Sequence, residues 1–562
     1  MECLDARRLT GPNVLMDPPG SVLDVACGKA EGDALLPLWS TAVRRMAADL
    51  GWKSPALCYR PLNGGLSLAC SAPIDALYAA TEVNEWAFNA SVAQLTGEAT
   101  PDYDECLAQI CASAAEESNA ALLSLQRAAS QHGVTLLWDD DEVSLGMGAS
   151  ARTWGARELP RADSLDFHSF RDIPLALVTG TNGKTTTARL VRHIALSAGL
   201  APGLSSTDWI AVGETIVDRG DWSGPGGARK VLRHADADIA ILETARGGLL
   251  RRGLGVERAD VAVITNIAED HLGDFGSRNL NELLDIKWIV TRAVQAAGTL
   301  VLNADDPLLV HKARDYAGRI CWFSLDVNNE IVRHHVAAGG TAFVLSYHDL
   351  VEVAGATQRV ICRDDEIPIT LDGAARHNVA NALAAAAVCR RLGMTLKQIA
   401  AGLRSVSQAM NPGRCNVYTL PHCRVLVDFA HNPHALQALF DVAEALPAQR
   451  RILAFGQAGD RTDEQIRELA ASAWSIGLDH VIVSELEKYA RGREPGEVFG
   501  LIREALLQEG ARPTQVEHHE FEMQSLEAAL TRAQHGDLII MLALADADSV
   551  RARLAELATA AS

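Results

Sequence analysis

Residues 177–187 read Leu-Val-Thr-Gly-Thr-Asn-Gly-Lys-Thr-Thr-Thr, in which an apolar run passes through a glycine turn into the start of a helix. Gly180 and Gly183 allow positive φ angles and a close approach of the backbone to a ligand. Successive N–H groups at the start of a helix attract a polyphosphate. Because Lys184 and Thr185 follow the second glycine directly, we expect Lys184 at the β- and γ-phosphates and the Thr185 hydroxyl at Mg²⁺.

The spacing of this segment departs from the general phosphate-loop pattern, whose first glycine lies farther from the lysine. Val178 stands at that position here. An ordinary strand-to-helix turn with a surface lysine is the alternative interpretation. The uninterrupted strand before the turn favours phosphate binding, and the residues predicted to contact the phosphates are Gly180, Thr181, Asn182, Gly183, Lys184, Thr185 and Thr186.

Short apolar runs alternate with helical segments on both sides of a break near Asn411. This alternation is typical of a mostly parallel, doubly wound α/β sheet, and ligands bind at the carboxyl ends of its strands. We therefore expect one such sheet before residue 411 and a second α/β unit after it. The predicted strands are 175–179, 239–242, 261–265 and 299–302, then 425–429, 451–455, 480–483 and 538–542.

Composition limits the classes of partner. The chain has 562 residues and a formal net charge of −20, and 48% hydrophobic against 22% charged residues argues against a disordered chain. An acidic surface repels nucleic acids and anionic membranes, so neither is expected as a partner. We find no apolar run long enough for a membrane helix and no secretory signal. Eleven cysteines without a Cys-x-x-Cys pair indicate reduced thiols, so we expect a cytoplasmic protein.

Three side chains after the phosphate loop are candidates for catalysis. Glu243 ends a predicted strand and can hold Mg²⁺, although a solvent-facing carboxylate is the alternative. His271 follows the next strand and can bind a cation as a neutral imidazole, although a structural histidine in a turn is the alternative. Lys287 lies in an apolar helix predicted over 283–294, where a lysine reaching for the surface is the alternative.

Seven phrases of the sequence together resemble the signatures of the Mur ligase superfamily, the ATP-dependent amide-bond ligases. In detail they are similar to the Mur-ligase-like half of cyanophycin synthetases. The resemblance extends from about residue 175 to the C-terminus. The phrases are GTNGKTTT (180–187), LETARGGLLR (242–251), NIAEDHLG (266–273), LNADDP (302–307), NPGRCN (411–416), DFAHNP (428–433) and GDRTDE (459–464).

The resemblance implies a Mur ligase-like α/β fold and the cofactors ATP and Mg²⁺. It implies an N-terminal α+β domain over 1–165, a central doubly wound P-loop ATPase domain over 170–410 and a C-terminal Rossmann-like α/β domain over 411–562. A weaker resemblance covers RLTGPNV (8–14) and SLGMG (144–148), which are similar to parts of cyanophycin synthetase. The short interval from there to the phosphate loop leaves no room for the ATP-grasp module of that enzyme.

The resemblance also assigns roles to the catalytic candidates. Lys184 and Thr185 match residues that hold the ATP phosphates and a first Mg²⁺, and Glu243 matches a ligand of that Mg²⁺. His271 matches the family's ligand for a second Mg²⁺. Lys287 matches the lysine that many Mur ligases carbamylate to bridge that metal.

Four more residues match the part of the family's site that binds the nucleoside. Asn378 matches the asparagine that meets the adenine. Arg414 and Asp428 match residues from the domain junction that touch phosphate and ribose, and His431 lies beside them. These positions imply that the C-terminal domain closes on the nucleotide.

The implied reaction joins an amino acid, with basic ones among the candidates, to a carboxylate of a small-molecule or peptide acceptor, and forms ADP and phosphate. Candidates for the amino-acid pocket include Ser484, Glu487, Arg491 and Arg493, with a solvated loop as the alternative. The alternative function is a catalytically silent nucleotide-binding scaffold or partner of a cyanophycin synthetase-like enzyme. A simple P-loop kinase or GTPase is a further alternative, but this function would leave residues 411–414 and 428–431 without a role. Homo-oligomer formation is left open.

Overall fold

The computed structural model describes residues 1–269 and 279–560. Its N-terminal part is built on an antiparallel sheet. Its strand order is β1-β2-β4-β3. Helices cover one face of this sheet, where Trp39 and Val83 pack against Val25 and Leu68. The elements are β1 (Glu2–Leu9), β2 (Gly20–Ala26), α1 (Lys29–Asp49), β3 (Leu57–Leu62), β4 (Gly65–Ser71), α2 (Leu77–Thr96), α3 (Tyr103–Glu117) and α4 (Ala120–His132).

A small antiparallel sheet connects this part to the central one. It consists of β5 (Leu136–Trp138), β6 (Glu142–Leu145) and β7 (Arg152–Gly155). Arg60 forms an ion pair with Glu282 at 3.1 Å, and the Thr10 amide donates to the Arg252 carbonyl at 2.8 Å. The N-terminal and central parts therefore contact each other directly.

The central sheet has the strand order β11-β10-β9-β12-β8-β13-β14-β15-β16-β17-β18. Strands β9 to β16 in this order run parallel, and antiparallel strands extend both edges. The strands are β8 (Leu175–Thr179), β9 (Pro202–Ser205), β10 (Trp209–Val212), β11 (Thr215–Arg219), β12 (Ile239–Glu243), β13 (Ala259–Ile264), β14 (Val294–Asn303), β15 (Ile320–Ser324), β16 (Thr341–Ser346), β17 (Asp349–Ala354) and β18 (Thr357–Arg363).

Helices cover both faces of the central sheet, as expected for a doubly wound fold. On one face, α5, α11 and α12 enclose an apolar core with Val178 and Ile241, and α6 to α10 cover the other face. The helices are α5 (Lys184–Ser197), α6 (Pro225–Leu232), α7 (Arg246–Arg251), α8 (Leu280–Trp288), α9 (Pro307–Lys312), α10 (Glu330–Ala337), α11 (Arg376–Arg391) and α12 (Leu396–Ser405).

The C-terminal sheet has the order β19-β20-β24-β21-β22-β23, parallel except for β19 at one edge. Its elements are β19 (Asn416–Thr419), β20 (Cys423–Asp428), α13 (Pro433–Ala445), β21 (Arg451–Phe455), α14 (Asp463–Trp474), β22 (His480–Ser484), α15 (Glu497–Gln508), β23 (Val516–His519), α16 (Glu522–Arg532), β24 (Asp537–Leu542) and α17 (Ala547–Ala560). The α/β fold predicted from sequence is confirmed.

The domain boundaries at residues 165, 170 and 411 remain a prediction. The separate central and C-terminal sheets, which occupy 175–363 and 416–542, agree with that division. Every helix in the described ranges is too short or too polar to cross a lipid bilayer.

Candidate functional site

The loop between β8 and α5 requires glycine at two positions. Gly180 has φ +145° and Gly183 has φ +82°. A Cβ atom on Gly180 would lie 1.9 Å from Thr265 Oγ1, and one on Gly183 would lie 2.3 Å from Asn381 Oδ1. Helix α5 begins directly after Gly183, so its free N–H groups open at the carboxyl edge of the sheet. The backbone therefore forms a cradle that suits a phosphate chain.

Thr265 and Asn266, directly after β13, hold this loop through side-chain and backbone hydrogen bonds. The Thr181 amide donates to the Asn266 carbonyl at 2.9 Å, and the Asn182 amide donates to Asn266 Oδ1 at 2.9 Å. Thr265 Oγ1 donates to the Asn182 carbonyl at 2.6 Å. These bonds fix the loop conformation before any ligand binds, which lowers the entropy cost of binding.

Two ammonium groups contact carbonyl oxygens of the loop. Lys184 Nζ donates to the Thr181 carbonyl at 2.8 Å. Lys287 Nζ, from α8, donates to the Gly180 carbonyl at 2.7 Å, and this side chain is buried. Both positive charges therefore lie at the predicted phosphate position, within a chain of net charge −20.

Glu243, at the end of β12, is buried, with 2% of the residue exposed. Its Oε1 accepts hydrogen bonds from Thr185 Oγ1 at 3.0 Å and from Thr207 Oγ1 at 2.8 Å. Because the Thr185 hydroxyl gives its proton to Glu243, its lone pairs remain for a cation. Hydroxyl and carboxylate oxygens are ligands that Mg²⁺ prefers, so this pair fits the ion. Among the described residues, no cluster of three or more His, Cys, Asp and Glu side chains offers another metal centre.

A cavity of about 300 Å³ lies between the phosphate loop and the C-terminal part. Seven of the predicted binding residues line it together. They are Asn182, Gly183, Thr186, Asn378, Arg414, Asp428 and His431. A larger cavity of about 1480 Å³ begins on the other side of Arg414 and Phe429, which line both.

Two charged groups of the smaller cavity, Arg414 and Asp428, lie in the linker and at the end of β20. The Arg414 guanidinium lies over the Phe429 ring at 4.6 Å. The Cys415 amide donates to Asp428 Oδ2 at 2.6 Å. Burial raises the pKa of the Asp428 carboxyl, and the nearby Arg414 opposes that shift. A carboxylate that accepts hydrogen bonds is suited to ribose hydroxyls.

The structure thus brings together most of the residues predicted from sequence, while their roles remain predictions. Lys184, Thr185, Glu243 and Lys287 lie around the loop, and the seven cavity residues lie beside it. His271, the predicted ligand of a second Mg²⁺, lies outside the described residues. Gly180 and Thr181 form the start of the loop.

Sequence reasoning missed several polar residues at the site. Thr207 contacts Glu243, Asn381 abuts Gly183, and Asn432 exchanges side-chain hydrogen bonds with Asn182 at 3.0 and 3.3 Å. Asn266 also contacts the loop, and its position directly after a predicted strand was a signal that could have identified this role. Thr207 lies in a turn with no comparable pattern.

Two of the residues predicted for the amino-acid pocket, Arg493 and Ser484, lie inside the C-terminal part. The Arg493 guanidinium is bonded to the Gly459 and Arg461 carbonyls and to the carboxylates of Asp463 and Glu497. It therefore ties together loops of the C-terminal part. Ser484 is buried at the end of β22.

Comparison with known proteins identifies the family. A model of the Mur ligase middle domain matches residues 178–389, and a model of the Mur ligase, glutamate ligase domain matches residues 413–543. UDP-N-acetylmuramyl-tripeptide synthetase of Deinococcus radiodurans is 31% identical over 68% of this chain and 74% of its own length. The chain belongs to the Mur ligase family. Members of this family are ATP-dependent ligases.

Other members of the Mur ligase family match the chain over a smaller share of their length. Cyanophycin synthetase of Trichormus variabilis is 37% identical over 66% of this chain and 41% of its own length. That of Geminocystis herdmanii is 36% identical over 67% and 43%. The match therefore spans less than half of these relatives.

One solved structure of similar fold is Escherichia coli FolC in complex with DHPP and ADP. It has a TM-score of 0.50 at 20% identity and covers 69% of this chain and 89% of that chain. At this level of identity the similarity shows the fold alone.

The steric limit at Gly183 gives a first prediction. Gly183→Ala brings a methyl group against Asn381 Oδ1, so we expect the loop to shift and the affinity for ADP with Mg²⁺ to fall at least about tenfold. Gly199→Ala is the matched control, because Gly199 has φ +84° with no atom within 4 Å of its Cβ position. Isothermal titration calorimetry measures both, and equal affinities in the two variants would contradict the steric account.

His377, the second residue of α11, gives a prediction for the pH dependence of protein stability. Burial lowers the pKa of His377 to about 4, below its value of about 6.5 in an unfolded chain. Protonation therefore favours the unfolded state, and stability falls as pH decreases from about 6.5 to about 4. We expect His377→Asn to lose less stability than wild type between about pH 6.5 and about pH 4. The midpoints of urea unfolding across this pH range measure the difference. Identical pH slopes in variant and wild type would contradict it.

Proposed function

We propose that this protein is an ATP- and Mg²⁺-dependent ligase that couples an amino acid to a carboxylate of a small-molecule or peptide acceptor. The observation that carries the proposal is the buried Glu243–Thr185 pair beside a glycine cradle, next to a cavity shared with the C-terminal part. Membership of the Mur ligase family supports it.

Thr185 Oγ1 and the Glu243 carboxylate are the groups proposed to hold Mg²⁺. Thr207 donates to the same carboxylate oxygen and orients it. Bound there, Mg²⁺ supplies positive charge beside the β- and γ-phosphates. Lys184 adds a second positive charge, and Lys287 supports the loop through the Gly180 carbonyl. Carbamylation of Lys287 and a second metal at His271 remain predictions.

The nucleotide is proposed to lie across the loop with its nucleoside in the cavity of about 300 Å³. Asn378 at the start of α11 is assigned to the base, and Asp428 to the ribose. The Asn378 Nδ2 donates to the Ile369 carbonyl at 2.9 Å, which fixes the orientation of the Asn378 amide. The Arg414 guanidinium lies over the Phe429 ring in the lining of this cavity, where it can contact phosphate.

In the proposed reaction, an oxygen of the acceptor carboxylate attacks the γ-phosphorus, and the bond to the β-phosphate oxygen breaks. ADP and an acyl phosphate form. The amino group of the amino acid then attacks the acyl carbon, loses a proton, and phosphate leaves. Lys184 stabilises the charge on the transferring phosphoryl group, which is strongest in the transition state.

Water must be kept from the acyl phosphate, because hydrolysis would waste it. The site lies between the central and C-terminal parts, and Asn182 bonds to Asn432 and to His434 Nδ1 across that junction. We propose that closure of the C-terminal part on the nucleotide excludes water and aligns the amine. The cytoplasmic location predicted from sequence is part of this proposal.

The reaction is tested by a screen of carboxylate acceptors against the twenty amino acids, read by mass spectrometry. We expect a product with the mass of acceptor plus amino acid minus water, and one ADP per product. Nucleotide binding without product or amine-dependent phosphate release across the screen would reject the ligase and favour the silent scaffold.

Lys184→Ala removes the charge at the transferring phosphoryl group, so we expect ligation to fall by a factor of about 100 to 1000. Lys312→Ala is the matched control, since its ammonium pairs with Asp285 on the surface. Rates of ADP release are compared at equal protein concentration. Unchanged rates in Lys184→Ala would refute its role.

A further inference from the structure

Two adjacent threonines at the start of α5 have hydrogen bonds of opposite direction. Thr185 Oγ1 donates to Glu243, whereas Thr186 Oγ1 accepts from Asn411 Nδ2 at 3.2 Å. Both side chains are buried, and Thr186 lines the cavity of about 300 Å³. Within 1–269 and 279–560, the Thr186 hydroxyl accepts this bond and donates its own proton to no group. Its proton is therefore left for a ligand.

The direction of the Asn411 amide is fixed by Arg189. Arg189 Nη1 donates to Asn411 Oδ1 at 3.2 Å. A guanidinium has donors and no acceptor, so the amide oxygen must face it and the NH₂ group must face Thr186. The relay runs from Arg189 to Asn411 to Thr186, and each step donates toward the cavity.

Arg189 is itself held rigidly inside the structure. Its side chain is 5% exposed, its Nη2 donates to Asp208 Oδ2 at 2.5 Å, and its guanidinium lies over the Trp209 ring at 4.1 Å. Burial lowers the pKa of Arg189 to about 10, so it stays protonated at neutral pH. A buried charge on a helix is costly compared with an apolar side chain, which indicates a role that an apolar residue cannot fill.

The relay also connects distant parts of the chain. Asn411 begins the linker that leads into the C-terminal sheet, and Asn416 Nδ2 donates to the Asn411 carbonyl at 3.1 Å. Asp208 follows Thr207, which contacts Glu243. The linker and the turn after β9 therefore both meet at the first turns of α5.

We propose that Arg189 and Asn411 are positioning residues that make the Thr186 hydroxyl a hydrogen-bond donor to the phosphate chain of the nucleotide. This inference rests on the proposed function, because it takes the ligand to be ATP. It gives the two threonines complementary tasks, with Thr185 presenting lone pairs to a cation and Thr186 presenting a proton to an anion.

The test is the affinity for AMPPNP with Mg²⁺, measured by isothermal titration calorimetry. Asn411→Asp keeps the size of the side chain and the partner for Arg189, but its carboxylate accepts from Thr186 instead of donating to it. The Thr186 proton then turns away from the phosphates. We expect about tenfold weaker binding in Asn411→Asp and in Thr186→Val.

Because both changes remove the same donor, the double variant should bind no more weakly than either single variant. Arg189→Lys keeps a donor and should retain more affinity than Arg189→Met. Arg390→Met is the matched control, since Arg390 pairs with buried Glu352 away from the site, and should bind within about twofold of wild type. Circular dichroism confirms that each variant is folded.

Wild-type affinity in Asn411→Asp, or losses that multiply in the double variant, would overturn the relay and leave the nucleotide site intact. Absence of AMPPNP binding in the wild type would reject the proposed function, and the relay with it.

Discussion

The hydrogen bonds that Glu243 accepts determine the arrangement of the site. Strands β9, β12 and β8 are neighbours in the central sheet, so the turn after β9, the end of β12 and the loop after β8 meet at one edge. Thr207 and Thr185 come from the outer two, and both donate to the carboxylate between them. A buried carboxylate needs such partners, because an uncompensated charge is costly. The parallel order of the strands is thus the constraint on which the cation position depends.

Local sequence patterns predicted the parts of the site that are contiguous along the chain. The loop at 180–186 follows a buried strand, and Glu243 ends another, so each could be recognised from the residues around it. Thr207 and Arg189 could not be recognised from their neighbours in sequence. Arg189 contacts Asn411 across 222 positions of sequence, and a buried arginine on a helix looks like a surface residue until the fold is known.

The same difference holds for the fold. The parallel strands β8, β12, β13 and β14 were predicted because apolar runs alternate with helical segments, whereas the parallel strands β9 and β15 were missed. The edge strands β10 and β11 and the hairpins of β16 to β18 were missed, since short antiparallel pairs carry weaker signals in sequence. Asn378 lies at the start of α11, and the resemblance to Mur ligases, rather than the local sequence pattern, pointed to it.

A crystal structure with AMPPNP and Mn²⁺ tests the central claim most directly, because Mn²⁺ can be located by its anomalous scattering. The account predicts the metal between Thr185 Oγ1 and the Glu243 carboxylate, at about 2.2 Å from its oxygen ligands. It also predicts phosphates over the loop at 180–186 and the adenine beside Asn378. A metal or nucleotide bound elsewhere on the chain would contradict the account.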